Sequence, residues 1–256
     1  MNRAAESAQP NLVRIRPLTT ALSPLAKELT NLPALKATCR SIGSGRDIIT
    51  EGKSCTAVFL ITEGAAIRYR ILNNGQRVIL KFLLPGDLAG LTSCRFNTAQ
   101  LSVKMLTPSV VYRIPLSWIF GLSESDPQLA MRLFWSIANE NAMLSENFIA
   151  VGQRSASERI AHFLLELFTR LQKLGLAERE TFYFPLTQEI IADALSLSIP
   201  YVNRVLHQLR DEGLAQIKNR RIEIQNLEEL TELANFKKDY LRPRLVSEIR
   251  DHLLSI

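Results

Sequence analysis

Between Phe184 and Arg221 the chain reads FPLTQEIIADALSLSIPYVNRVLHQLRDEGLAQIKNRR, and its polar residues recur at the spacing of one helix face. Tyr201, Asn203, Arg204, His207 and Gln208 fall opposite Val202, Val205, Leu206 and Leu209. Guanidinium, amide and imidazole groups on such a face suit the base edges and phosphates of a DNA major groove. Lys218, Arg220 and Arg221 add cations for phosphate oxygens just downstream. The elements that must position these groups are also legible. Thr187 is placed to cap a short helix whose Ile190, Ile191, Ala194 and Leu195 share one side. Ser196-Leu197-Ser198 makes a tight turn, Ser198 is placed to cap a second helix, Pro200 fits its first turn, and Gly213 stops it. The pattern predicts a helix-turn-helix with a wing, against the plainer alternative of a helical hairpin. Its candidate DNA contacts are Thr187, Gln188, Ser198, Ile199, Pro200, Tyr201, Asn203, Arg204, His207 and Arg220.

Other chemistries find little support. No nucleophile–base grouping, metal-type spacing or phosphate-binding glycine loop is present, so an enzyme is not expected. Cys39, Cys55 and Cys94 are far apart, and a reduced cytoplasm is the natural setting. No apolar run is long enough for a membrane span, and the first residues lack the apolar core of a signal peptide. The net charge of +6 is weak evidence for nucleic acid. Residues 186–225 hold five cations (Arg204, Arg210, Lys218, Arg220, Arg221) against five carboxylates (Glu189, Asp193, Asp211, Glu212, Glu223). The excess lies upstream, so the local cations matter more than the total.

The chain divides by periodicity. Residues 1–24 read as a flexible tail and 25–124 as an antiparallel β domain. There, short apolar runs such as Val58-Phe59-Leu60-Ile61 and Val78-Ile79-Leu80 alternate with turns at Gly45, Gly52, Gly64, Gly75 and Gly86. A solid β core and a barrel enclosing a small ligand both fit. Over 125–152 the period becomes helical, with Asp126 as cap and Pro127 in the first turn. Ala130, Phe134, Ile137, Asn141, Leu144, Phe148 and Val151 advance in alternating steps of four and three, the seam of a parallel helix pair with one register-fixing Asn. Packing of that stripe on the β domain is the competing reading. Gly152 is expected to break the helix and act as a hinge, with Ser155 or Ser157 starting the next one. Residues 153–225 form the winged helix-turn-helix unit, and 226–256 a helical extension of unassigned role, split near Pro243. The predicted class is α+β: an N-terminal β-roll (jelly roll), a long dimerisation helix and a C-terminal winged helix-turn-helix.

In that order these parts resemble the Crp/Fnr superfamily of bacterial transcription regulators, over about residues 25–225. The resemblance rests on IITEGKSCTAVFLITEGAAIRYRILNNGQRVILKFLLPGDLAG in the roll, and on SASERIAHFLLEL and LTQEIIADALSLSIPYVNRVLHQLRDEGL in the DNA unit. It implies a homodimer on double-stranded DNA carrying a pseudo-palindromic operator, with RNA polymerase as a further partner. In cAMP-binding members a glutamate follows the closing glycine of the roll motif, and an Arg-Ser or Arg-Thr pair clamps the cyclic phosphate. Here those places hold Leu91 and Asn97-Thr98-Ala99-Gln100, and the adenine-contacting pair of the long helix becomes Leu144-Ser145. Without the guanidinium the phosphate charge lacks its bidentate partner, so cAMP is not the expected effector. No cysteine precedes Cys39 to build an iron–sulfur site, and His162, His207 and His252 all lie far from the roll. No resident cofactor or metal is expected. Lys81, Leu91, Thr92, Cys94, Gln100, Leu144 and Ser145 form the candidate pocket for another small effector. A thiol switch at Cys94 and a roll that binds nothing are the alternatives. On the recognition helix only Arg204 matches the family's shared arginine, so the operator is expected to differ from the familiar ones.

Overall fold

The computed structural model describes residues 24–32, 35, 38–93, 96 and 98–241. The tail, Cys94, and everything after Leu241, including the second half of the C-terminal extension, lie outside the described residues. A short helix, α1 (Pro24–Asn31), precedes eight strands: β1 (Cys39–Ile42), β2 (Asp47–Ile49), β3 (Ala57–Glu63), β4 (Ala66–Ile71), β5 (Arg77–Leu83), β6 (Leu88–Ala89), β7 (Ser102–Met105) and β8 (Ser109–Pro115). They form two four-stranded sheets, in the orders β1-β8-β3-β6 and β2-β7-β4-β5, whose pairings are antiparallel. Ile49, Ile61, Ala66, Leu83, Val103, Met105 and Val111 fill the space between the sheets. Gly64 is required at the β3–β4 turn: φ is +86°, and a Cβ there would lie 2.2 Å from Ser109 Oγ.

Helix α2 (Leu116–Ser125) leads into the long α3 (Pro127–Gln153). Asp126 caps α3 by accepting from Leu129 N at 3.0 Å, with Pro127 in the first turn. At about 1.5 Å per residue, its 27 residues span roughly 40 Å. Gly152 does not end it. The break falls at Arg154, which is extended (φ −91°, ψ 146°), because Ser155 must stay extended to cap the next helix, α4 (Ala156–Lys173). A reciprocal box seals that start: Glu158 N donates to Ser155 Oγ and Ser155 N to Glu158 Oε2.

The C-terminal unit adds β9 (Ala177–Glu178), β10 (Thr181–Tyr183), α5 (Gln188–Leu195), α6 (Ile199–Asp211), β11 (Ala215–Lys218), β12 (Arg221–Ile224) and α7 (Leu227–Ala234). The wing strands belong to a sheet ordered β11-β12-β10-β9. One apolar core joins this unit to the roll. Ile67, Tyr69, Ile79 and Phe82 of the second sheet pack with Ile160, Leu164 and Phe168 of α4 and with Val202 and Val205 of α6. Phe82 lies 5.2 Å from the Phe163 ring and 5.8 Å from that of Phe184.

After α7 the chain folds back on α4. Phe236 meets the buried His162 ring edge-on at 5.1 Å and Tyr240 stacks on it at 6.2 Å. Burial, then the charge of Arg154, pushes His162 down to about 4. Glu146, 3.7 Å from Nε2, is already paired to Arg154 at 3.2 Å and does not offset this. Unfolded, the imidazole takes its proton near 6.5. Between those values the unfolded chain binds the extra proton, so stability present above pH 6.5 is lost as pH falls towards 4. The full loss would be about 3 kcal/mol. Glu166, whose carboxyl is raised by burial, acts with the opposite sign in its own window and is retained in a His162→Phe variant. That variant should lose less melting temperature than the wild type between about pH 7 and about pH 5. An equal loss in both proteins would contradict this assignment.

Candidate nucleic-acid interface and the junction behind it

The turn between α5 and α6 is set by local bonds. Thr187 Oγ1 accepts from Ile190 N at 3.1 Å at the start of α5, and Ser196 closes that helix in the left-handed region (φ 55°). Leu197 N donates to Ala192 O, and its side chain packs on the shared core. Ser198 occupies the cap position of α6 without a side-chain capping bond, and Pro200 lies in the first turn. Val202, Val205 and Leu209 bury the inner face of α6. At its end Gly213 (φ 69°) donates to Arg210 O while Leu214 N reaches Leu209 O, a Schellman closure.

All ten predicted DNA contacts, Thr187, Gln188, Ser198, Ile199, Pro200, Tyr201, Asn203, Arg204, His207 and Arg220, are exposed. Gln188 Nε2 donates to Asn203 Oδ1 at 3.1 Å, tying the start of α5 to the outer face of α6. The Arg204 guanidinium lies 5.3 Å from the Tyr201 ring centre, a cation–π contact that limits its sweep. At the wing tip Asn219 and Arg220 both have positive φ (52° and 65°), as a type I′ hairpin demands. The Arg220 carbonyl accepts from Phe184 N at 2.9 Å, which anchors the wing to the strand before α5.

The long helix carries two stripes. Leu129, Leu133, Glu140, Met143 and Ala150 face inward and are buried. One residue round, Phe134 (59% exposed), Ile137, Asn141, Phe148 (82%) and Val151 face outward, while Ala130 and Leu144 are half-buried at the boundary. The predicted seam is therefore not the stripe that packs on the β domain. Trp135, edge-on to Phe134 at 5.8 Å, and Met131 extend the apolar exposure beyond the heptad positions.

The candidate effector residues do not converge. Lys81 and Leu144 line a cavity of about 40 Å³ between β5, α3, α4 and the end of α5, room for a water or two. Leu91 packs among Val58, Leu60 and Ile114 on another side of the roll, and Thr92 is exposed. Gln100 is exposed, its carbonyl accepts from Arg70, and its side chain donates to Thr98 O. Ser145, also exposed, donates to Asn141 O.

The Lys81 ammonium has a partner that the sequence reading missed. Glu140 of α3 places Oε2 3.0 Å from Lys81 Nζ and Oε1 2.5 Å from Arg68 Nη1. Burial alone would raise this carboxyl, but the Lys81 and Arg68 charges outweigh it and hold Glu140 below the usual range. The only sequence signal is Glu140's place on the inner stripe and Arg68's place within a buried strand. Further ion pairs cross the same junction. Arg77 of β5 reaches Asp193 (2.6 Å) and Glu189 (3.2 Å) of α5, and Arg170 of α4 reaches Asp87 at 2.6 Å. Among the described residues, no group of three His, Cys, Asp or Glu could hold a metal ion, and no helix is long and apolar enough to cross a membrane.

Comparison with known proteins agrees with this architecture. Residues 39–126 match the family model described as a cyclic nucleotide-binding domain, and residues 158–233 that of a Crp-like helix-turn-helix domain. The fumarate and nitrate reduction regulatory protein of Vibrio cholerae is 28% identical over 83% of this chain and 84% of its own. The transcriptional activator protein anr of Pseudomonas aeruginosa is 27% identical over 91% of this chain and 95% of its own. The solved structure of FixK2 from Bradyrhizobium japonicum superposes with a TM-score of 0.70 at 29% identity, covering 77% of this chain and 96% of that one.

Arg204 is exposed on the outer face of α6, where a guanidinium has the donor geometry for guanine O6 and N7. Replacing it with Ala should cost about 1–3 kcal/mol of DNA binding and relax selectivity at one base pair per half-site. Titration of the variant against single-base operator variants checks this. An equal loss on every sequence would show a phosphate contact instead.

Proposed function

The chain belongs to the Crp/Fnr family of transcription regulators and is a DNA-binding regulator of that type; from that premise we propose that it acts as a homodimer on a two-fold operator. The observation that carries the reading is the outer face of α6, which presents Tyr201, Asn203, Arg204 and His207 to solvent while Val202, Val205 and Leu209 are buried behind it. The first turn of α6 enters the major groove, and the Asn219–Arg220 wing tip meets the backbone. A second copy supplies the other half-site one helical turn away. Gln188, Thr187 and Ser198 hold phosphates, Ile199 and Pro200 meet apolar base edges, and Arg204 reads guanine.

The homodimer is supported by the outer stripe of α3. Phe134, Ile137 and Phe148 expose apolar rings and chains along one face of the helix, and Asn141 interrupts them at the same heptad spacing. A parallel copy would bury that stripe and use the Asn to fix register. The family consists of transcription regulators, which are not enzymes. RNA polymerase as a partner and the cytoplasm as the setting belong to the same proposal, which that membership supports. The signal it answers is an effector other than cAMP, or none. Leu91, at the place of the ribose-binding glutamate, offers no hydrogen bond and sits among apolar side chains. The pairing of Lys81 with Glu140 favours the second reading.

Substituting Glu for Phe148 or Ile137 places a charge on the seam without touching the protomer's core. Each variant should keep its circular dichroism spectrum, sediment as a monomer where the wild type is a dimer, and bind a two-half-site duplex at least ~10-fold more weakly. A dimer that survives both substitutions would place the subunit contact elsewhere.

A further inference from the structure

Arg68 and Lys81 stand directly opposite each other on β4 and β5, beside a one-residue slip of the ladder. Like charges at opposed cross-strand positions repel, and a bulge re-aims the side chains next to it. Both residues are almost withdrawn from water, at 4% and 8% exposure. Packing alone gives no reason for two cations here, since well-packed apolar residues would serve at least as well. What reconciles them is a carboxylate from a different element. Each Glu140 oxygen takes one cation, at 2.5 and 3.0 Å, the way a two-cation clamp takes an oxyanion ligand. Two cations thus share the one Glu140 carboxylate, with Glu166 acting on Lys81 from farther off, and Arg68 Nε is buried with no acceptor among the described residues. The clamp is therefore built for at least as much negative charge as Glu140 supplies. Glu140 lies on the inner stripe of α3, one residue from Asn141 on the outer stripe, so occupancy of the clamp bears on how that outer stripe is presented.

We propose that Glu140 is a tethered anionic ligand. Arg68 and Lys81 form an oxyanion site at the roll–helix junction, and the chain fills it with its own side chain. Roll and long helix are thereby coupled without a diffusible effector. Emptying the site turns it into a receptor for a small free monocarboxylate. The effect on DNA binding rests on the regulator function and the dimer proposed above; the binding site itself does not.

The test is Glu140→Ala, probed with sodium propionate against sodium chloride at equal ionic strength, with propionamide as the neutral isostere. Propionate should raise the melting temperature of the variant and leave the wild type unmoved, and propionamide should do neither. On an operator selected with wild-type protein, the variant should bind at least ~10-fold more weakly in chloride and recover most of the loss in propionate. Wild-type protein should reach full affinity with no small molecule added. A variant that folds only when propionate is present supports the proposal equally. A Glu140→Ala protein that is indifferent to propionate in both readouts overturns it. So does a triple Arg68→Met, Lys81→Met, Glu140→Leu variant that binds DNA like the wild type, because the clamp would then serve packing alone. If wild-type protein selects no DNA, the regulator reading fails, while the propionate-dependent melting still reports on the clamp.

Discussion

Ionised side chains buried between two elements are costly unless opposite charges meet them, and where β4 and β5 meet α3 two cations, Arg68 and Lys81, share the Glu140 carboxylate. Removing one partner of such a group strands the others in a dry site, so the contact resists both rotation and sliding of the helix. With Glu140 turned inward, helical geometry turns Phe134, Ile137, Asn141 and Phe148 outward. The outward direction of this apolar stripe thus goes with an ion pair on the adjacent face.

The same junction extends to the helix-turn-helix unit. Only Arg154 and Ser155 separate α3 from α4, so a rotation of the long helix passes to α4 with little slack. Arg154 is itself held by Glu146, and α4 is held from the roll by Arg170 on Asp87. Arg77 reaches across to Asp193 and Glu189 of α5, and Phe82 sits among Phe163 and Phe184. The β-roll and the helix-turn-helix unit share one apolar core, with charged pairs at its edge. The recognition face of α6 is left free by that docking, which orients it without covering it.

What could be seen in the sequence was whatever is encoded locally. Thr187, Ser155, Asp126 and Gly213 announce their helix ends within a few residues, because capping is a short-range bond. The outer stripe of α3 could be picked out by its steps of four and three, but the inner stripe one residue round has the same period, and only the fold shows which of the two is exposed. Gly152 misled because its helix-breaking tendency is weaker than the pull of the Ser155 capping box three residues on. Strands β9 and β10 have two and three residues, too short for alternation to show. Of the Glu140 site the sequence shows only charged residues at otherwise apolar-patterned positions, and not their pairing. Its cations lie 72 and 59 positions away, and nothing in the local pattern marks them as partners. The expected effector pocket dispersed for the same reason: residues aligned by family resemblance were placed by a different network of contacts.

The central claim is that two copies of this chain present two α6 helices to one face of DNA. Selection of bound sequences from a random duplex library, followed by sequencing, tests it most directly. The predicted outcome is an inverted repeat with a guanine in each half and half-site centres about 10–10.5 base pairs apart. A single unrepeated element, or no enrichment at all, would contradict it.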